Sequence, residues 1–405
     1  MAVGASRSPA LAYDVAKATA DELAAIGFNW NLAPVLDIVD DVNSSMIGAR
    51  AFGDEPGDVG RFGVAFMEGF RSAGMGSFAK NFPGNTISRK IGQIGFTFFG
   101  DVSRDELEAS DMVPFRRAVT AGLDGIILNP AMWTGLQEDV TLRSLHVVHQ
   151  IIRTQLGYDG PVICDFSDIP AYKTDIVQLP VLAAQAGCDL FLLRAEPETQ
   201  IACIEAFYEA IRAGEISPSD ISRSYGRIGQ IKGRHLTWQT ALQNARSETI
   251  LPELVFRNQE LAKKAYQHST TIVRDNNSLI PIYQKLGGSD AILLLSPVVQ
   301  PIYSSATADG KTMDPFECFG RALETRHPRI RHAPYTPHGL NETHRALIKV
   351  ASLVIFVSSN AHSSDANTYS QTKIARSILQ LCNGKPLLAM AVGDPYDLLM
   401  DRSCM

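Results

Sequence analysis

Residues 77–85 read Ser-Phe-Ala-Lys-Asn-Phe-Pro-Gly-Asn. An apolar strand runs into Lys80 and Asn81 and stops at Pro83-Gly84, since neither residue continues a central strand. Lys80 and Asn81 therefore stand at a strand's C-terminal end. In an α/β barrel that end carries the chemistry.

Upstream, Ser8 and Pro9 open a helix as N-cap and first helical residue, and Gly27 stops it. Residues 29–38 predict a strand ending near Asp37, followed by a polar loop over 40–50. Residues 57–73 predict a helix with Val59, Phe62, Phe66 and Phe70 on one face. Downstream, Ser103 and Glu106 form a capping box for a helix that Gly122 closes. Strands are expected at 124–129, 160–165 and 188–194, with helices at 144–156, 176–187 and 198–213. The strands are continuous apolar runs separated by helices, the pattern of a parallel sheet covered on both faces. Right-handed βαβ units in series build either a TIM-type barrel or an open doubly wound sheet. Five strands precede residue 200, too few to close an eight-stranded barrel.

Residues 215–260 read as polar and helical. A second α/β unit begins near 261, with strands at 291–295, 353–357 and 386–392 and a helix over 371–381. The expected organisation is an incomplete TIM-type (β/α) barrel over 1–235, a helical connector over 236–260 and a smaller layered α/β domain over 261–405.

The chain has 405 residues, enough for two domains and a large core. A net charge of −6 argues against a nucleic-acid or anionic-membrane surface. No apolar run is long enough to span a bilayer. The first residues lack an apolar signal-peptide core. The six cysteines show no paired spacing and read as buried thiols in a reducing compartment, so the expected location is cytoplasmic. No cofactor is expected. No metal is expected either, because the nine histidines form no ligand spacing and His146 and His149 merely share a helix face.

Lys80–Gly84 resembles the Lys-His-Phe-Pro-Gly-His-Gly signature of family 3 glycoside hydrolases, especially their β-N-acetylglucosaminidases. Asn31-Leu-Ala-Pro-Val-Leu-Asp37, Ile47-Gly-Ala-Arg-Ala-Phe-Gly53, Leu107 to Gly122 and Leu156 to Asp165 resemble further family motifs, in family order. Ser269 to Pro281 and Gly393 to Leu398 match the family's second domain. The resemblance implies an exo-acting retaining enzyme that hydrolyses O-glycosyl bonds of a carbohydrate or other glycoside.

On that resemblance Asp165 holds the nucleophile position. The mechanism needs an ionised carboxylate beneath the anomeric carbon and a proton donor on the leaving-group side. A strand-end Asp also serves as a helix cap or a partner of a nearby Lys, and the residues alone leave both roles open. Arg50 and Lys80 match residues that grip the sugar through charge-assisted hydrogen bonds. Asn81, Asn129 and Asp37 complete the expected substrate contacts, although a strand-end Asp such as Asp37 equally satisfies loop N–H groups.

The chain departs from the family where the proton donor should be. Both signature histidines are asparagine, Asn81 and Asn85. Residues 85–93 hold no His, Asp or Glu, and Asn129-Pro130 replaces an Ala-His pair. Arg89 and Lys90 are poor acids near neutral pH. The implied activity is therefore impaired or altered. The alternatives are a catalytically silent relative that binds a sugar or protein, and a scaffold turned to other chemistry on a glycoside-like molecule. The family has two further barrel strands upstream and a longer second domain. An open barrel edge predicts cover by another segment, association into an oligomer, or an incomplete gene product.

Overall fold

The computed structural model describes residues 1–39, 47–84, 108–128, 146–167, 176–241, 247–298, 315–359, 366–392 and 397. Two compact units are present: Met1–Asp40 with Arg50–Thr271, and Asp41–Ala49 with Ile272–Met405.

In the first unit β1 (Trp30–Asn31), β2 (Gly76–Phe82), β3 (Gly125–Leu128), β4 (Val162–Asp165) and β5 (Leu190–Leu192) pair in parallel in sequence order. Sequential order with one-handed crossovers keeps the helices on one face and curls the sheet. The result is a half-barrel, an incomplete TIM-type barrel rather than a doubly wound sheet. The strand expected over 29–38 is regular only at Trp30–Asn31. Pro34 has no N–H to give the ladder, yet the segment still tracks β2. Lys80 donates its N–H to the Pro34 carbonyl at 3.0 Å, and Leu36 donates to the Lys80 carbonyl at 2.6 Å.

The two faces of the sheet bury different sets. Ala79, Phe82, Ile126, Leu128, Val162 and Cys164 face outward onto Met67, Phe115, Val148, Ile152 and Leu179. Those partners come from the helices Pro56–Ser72, Met112–Thr120, His146–Gln155 (wound as a π-helix) and Leu179–Gln185. Phe78, Ile127 and Ile163 face inward with Trp30, Leu32, Leu190 and Leu192. Burying one such side chain is worth about 1.5–3 kcal/mol. Gly125 makes room for this inner layer, because a Cβ there would lie 2.1 Å from the Phe78 ring.

The helix Pro218–His235 inserts Ile231 into the inner cluster and ties down the N-terminal edge of the sheet. Asp189, ahead of β5, is the hub. Its Oδ2 accepts from Arg153 at 2.9 Å and from the Val162 N–H at 2.9 Å. Its Oδ1 accepts from Ser224 at 2.5 Å and Arg227 at 3.1 Å. Asp124, ahead of β3, accepts the Ser77 N–H at 3.0 Å and pairs with His235 at 3.2 Å. Burial pushes the Asp124 carboxyl up, but its bonds to His235 and Ser77 and the nearby cations outweigh that and hold it below the usual range. The helix Ser247–Ser269 joins this unit by packing on Pro9–Ala25, where Asn258 donates to Glu22 at 2.7 Å.

In the second unit β6 (Ile292–Pro297), β7 (Ile330–Tyr335), β8 (Leu353–Ser359) and β9 (Leu387–Val392) pair in parallel in the order β7-β6-β8-β9. The order reverses at β6, so an apolar cluster covers each face: Leu293, Tyr335 and Phe356 on one, Leu294, Phe316 and Ile355 on the other. The smaller layered α/β domain is thus a doubly wound sheet. Three of its strands follow apolar runs visible in the sequence. The fourth, β7, does not: it is an edge strand carrying Arg331, His332 and Pro334, and most of its residues are partly exposed. Among the described residues no helix is long and apolar enough to cross a membrane.

Candidate active site

The C-terminal ends of β2 and β4 and the loops around them gather the charged residues singled out by the sequence. Lys80 and Phe82 pair with the consecutive residues Ile127 and Leu128, so Asn81 is the extra residue of a bulge. The bulge turns Phe82 into the outer core and leaves Lys80 on the inner face with Phe78. The Lys80–Asn81 and Phe82–Pro83 peptide bonds are both cis. Asp165 lies two residues past Ile163 on the same inner face.

The side chain of the half-buried Lys80 makes no hydrogen bond or ion pair among the described residues. Burial lowers its pKa, the Arg50 charge lowers it further, and Asp165 and Asp37 pull it back up. Arg50 is exposed at the end of the short turn Gly48–Arg50. Asp165 is half-buried, and its Oδ1 accepts the Ser167 N–H at 2.9 Å, which fixes the carboxylate. Its Oδ2 carries no hydrogen bond among the described residues.

Asp37 has no accessible surface. The parallel track of residues 30–36 along β2 sets it beside Asn81. Its Oδ2 accepts the Asn81 backbone N–H at 3.2 Å and the side-chain Nδ2–H at 2.7 Å. Its Oδ1 is buried without a hydrogen bond among the described residues. Burial pushes this carboxyl up to about 6, with the Asp111 charge adding to the rise and Asn81 and Arg50 opposing it. Asp111, ahead of the helix Met112–Thr120, is also buried. Gly84, with φ +128°, seats the loop after β2 on it: a Cβ would lie 2.1 Å from the Asp111 Oδ1.

The raised carboxyl makes a pH prediction. Folding binds a proton at Asp37 between 3.8 and about 6, so this site's contribution to stability is full at low pH and is lost as pH rises through about 6. Asp37→Asn has no such dependence. From about pH 4 to about pH 7 its stability relative to wild type should shift in its favour by about 2 kcal/mol. Urea unfolding at both pH values measures this; a constant difference would contradict the buried, proton-binding carboxyl.

Asn129 lies outside the described residues, as do Asn85, Arg89 and Lys90. Sequence reasoning placed Asp165, Lys80 and Asn81 at strand ends, and the structure brings the first two into electrostatic contact. It missed Asp111 and the Asp37–Asn81 pair. Asp111 reads as an ordinary helix-start Asp, and nothing in the local sequence marks a contact across 44 positions. Among the described residues no cluster of His, Cys, Asp or Glu suits a metal ion.

Residues 1–231 match the model of the glycosyl hydrolase family 3 N-terminal domain. The chain belongs to glycosyl hydrolase family 3. Beta-hexosaminidase LpqI of Mycobacterium tuberculosis is 29% identical over 231 residues, which cover 54% of this chain and 58% of that protein. A beta-hexosaminidase of Alkalilimnicola ehrlichii is 30% identical over 260 residues, covering 61% of this chain and 72% of that protein. Among solved structures, a glycoside hydrolase family 3 beta-N-acetylglucosaminidase from Paenibacillus sp. superposes with a TM-score of 0.74 at 26% identity. That alignment covers 98% of this chain and 74% of the Paenibacillus chain. This family 3 chain thus spans 58% of the length of LpqI.

Proposed function

We propose that this chain is an exo-acting, retaining β-N-acetylglucosaminidase-type glycosidase that retains its nucleophile and has weak acid assistance. The observation that carries the reading is Asp165: a strand-end carboxylate held by one loop N–H, with its other oxygen unbonded, beside a partly desolvated Lys80. A retaining nucleophile needs a carboxylate fixed in this way. Arg50, Lys80 and Asn81 grip the sugar, with Asn129, the next residue in sequence after β3, as a further contact. Weak acid assistance follows from residues 85–93, which offer no His, Asp or Glu. No cofactor enters this chemistry. Four of the five described cysteines are buried, which suits thiols in a reducing, cytoplasmic setting.

The same missing donor favours one second reading, a catalytically silent relative that binds the sugar without turning it over. Leaving-group dependence separates the two. General acid catalysis is worth about 10²–10⁴-fold, and an activated aryl leaving group needs little of it. An aryl N-acetyl-β-glucosaminide should be hydrolysed faster than the alkyl glycoside by about that factor. Equal rates would contradict weak acid assistance, and binding of N-acetylglucosamine without hydrolysis of either glycoside would establish the silent form.

A further inference from the structure

Asn81 spends its amide nitrogen on Asp37. The Nδ2–H and the backbone N–H both reach the Asp37 Oδ2, at 2.7 and 3.2 Å. Reversing the amide would set a carbonyl oxygen against a carboxylate oxygen, two acceptors in contact. The buried carboxylate therefore selects one of the two amide orientations. What remains of Asn81 is its carbonyl oxygen, which has no hydrogen bond among the described residues. Asn81 sits in the bulge next to Lys80, and the bulge keeps the amide beside Asp37 while Lys80 keeps to the inner face.

The charged groups around Asp37 are Asn81's neighbour Lys80, Arg50 and Asp111. Among the described residues neither cation pairs with Asp37 within hydrogen-bond distance. Asn81 is thus its direct partner, and Asp37 itself has no surface from which to touch a ligand.

We propose that Asp37 is a positioning residue that fixes the Asn81 amide with its carbonyl oxygen free, so that position 81 reads a donor on the ligand. That donor is a sugar hydroxyl or the N–H of an acetamido group. Lys80, which can only donate, reads an acceptor alongside. A neighbouring acceptor and donor together match the alternating groups on one edge of an N-acetylated sugar ring. The identity of the ligand rests on the glycosidase reading above; the orientation of Asn81 does not.

Two measurements separate these layers. The first uses protein labelled with ¹⁵N at asparagine, the Asn81 side-chain signal being assigned by its loss in Asn81→Ser. In the wild type one amide proton should be shifted by its bond to Asp37, and the signal should follow the titration of Asp37. Asp37→Ala should move it to the position of a free amide. Asp37→Asn keeps an acceptor oxygen, so it should retain the shift and lose the titration; it also serves if Asp37→Ala does not fold. An Asn81 signal unchanged in folded Asp37→Ala, or one that still titrates in Asp37→Asn as it does in the wild type, overturns the proposal.

The second measurement is the affinity for N-acetylglucosamine in a double-mutant cycle. Asp37→Ala and Asn81→Ala should each weaken binding about tenfold, and the double variant should lose no more than either alone. Independent, additive losses overturn the positioning role. A wild type with the bonded amide signal but no affinity for the sugar upholds the orientation and contradicts the glycosidase reading instead.

Discussion

Replacing Asp165 with alanine should abolish hydrolysis of an aryl N-acetyl-β-glucosaminide, lowering kcat by on the order of 10⁴-fold or more. The aryl substrate matters because it removes the demand for acid assistance, leaving nucleophilic attack as the step that Asp165 controls. The loss should appear in kcat and not in KM, because Arg50, Lys80 and Asn81 still bind the ring. Fold should be unaffected: Asp165 is half-buried, and among the described residues its carboxylate makes one hydrogen bond, to the Ser167 N–H, and no ion pair. Steady-state kinetics with a thermal melt of the same preparation checks both halves. A variant that keeps wild-type kcat would remove Asp165 from the mechanism.

Asp189→Ala should be the most destabilising single change at the base of the half-barrel, by about 3–5 kcal/mol. The carboxylate is buried and receives four hydrogen bonds, from Arg153, Arg227, Ser224 and the Val162 N–H. Removing it strands the Arg153 guanidinium, whose side chain is 14% exposed, leaves Arg227 with only the exposed Asp159 as an ion-pair partner among the described residues, and leaves a buried backbone donor unpaired. Replacing the whole group with apolar residues of similar volume would cost far less, since the penalty lies in the uncompensated charges. Urea unfolding measures the loss. A change below about 1 kcal/mol would mean that the helix Pro218–His235 is held by Ile231 and its apolar neighbours alone.

Asp165 ends β4 and Asp189 precedes β5, at opposite ends of the sheet. In this architecture the C-terminal ends serve chemistry and the N-terminal ends serve stability. The two substitutions should therefore separate: one stops turnover at constant stability, the other lowers stability without touching the reacting groups.

The parts of the fold that the sequence made legible share a physical cause. β3, β4, β6 and β8 are buried on both faces along most of their length, so each appears as an apolar run that flanking helices and glycines delimit, with polar residues confined to the strand ends, and β2 is buried as far as Ala79 before Lys80 and Asn81. β7 was invisible because an edge strand tolerates Arg331, His332 and Pro334. The site divides in the same way. Lys80 and Asp165 were legible because a strand end followed by a turn is a local pattern. The Asp37–Asn81 bond, the Asp111 contact under Gly84 and the Asp189 hub were not. Each joins residues that only the parallel stacking of strands brings together, and a lone Asp before a strand or helix looks like a solvated one.

The most direct test of the account is a search for the covalent glycosyl-enzyme. With an activated aryl glycoside, attack by Asp165 proceeds without an acid. Release of the sugar needs a base to activate water, and the weak acid/base loop supplies little. The intermediate should therefore accumulate. Intact-protein mass spectrometry after mixing with the aryl N-acetyl-β-glucosaminide should show one added N-acetylhexosamine, mapped to the peptide that contains Asp165 and absent from Asp165→Ala. Folded wild-type protein that shows neither this adduct nor aryl release above the variant's background would contradict the retaining glycosidase.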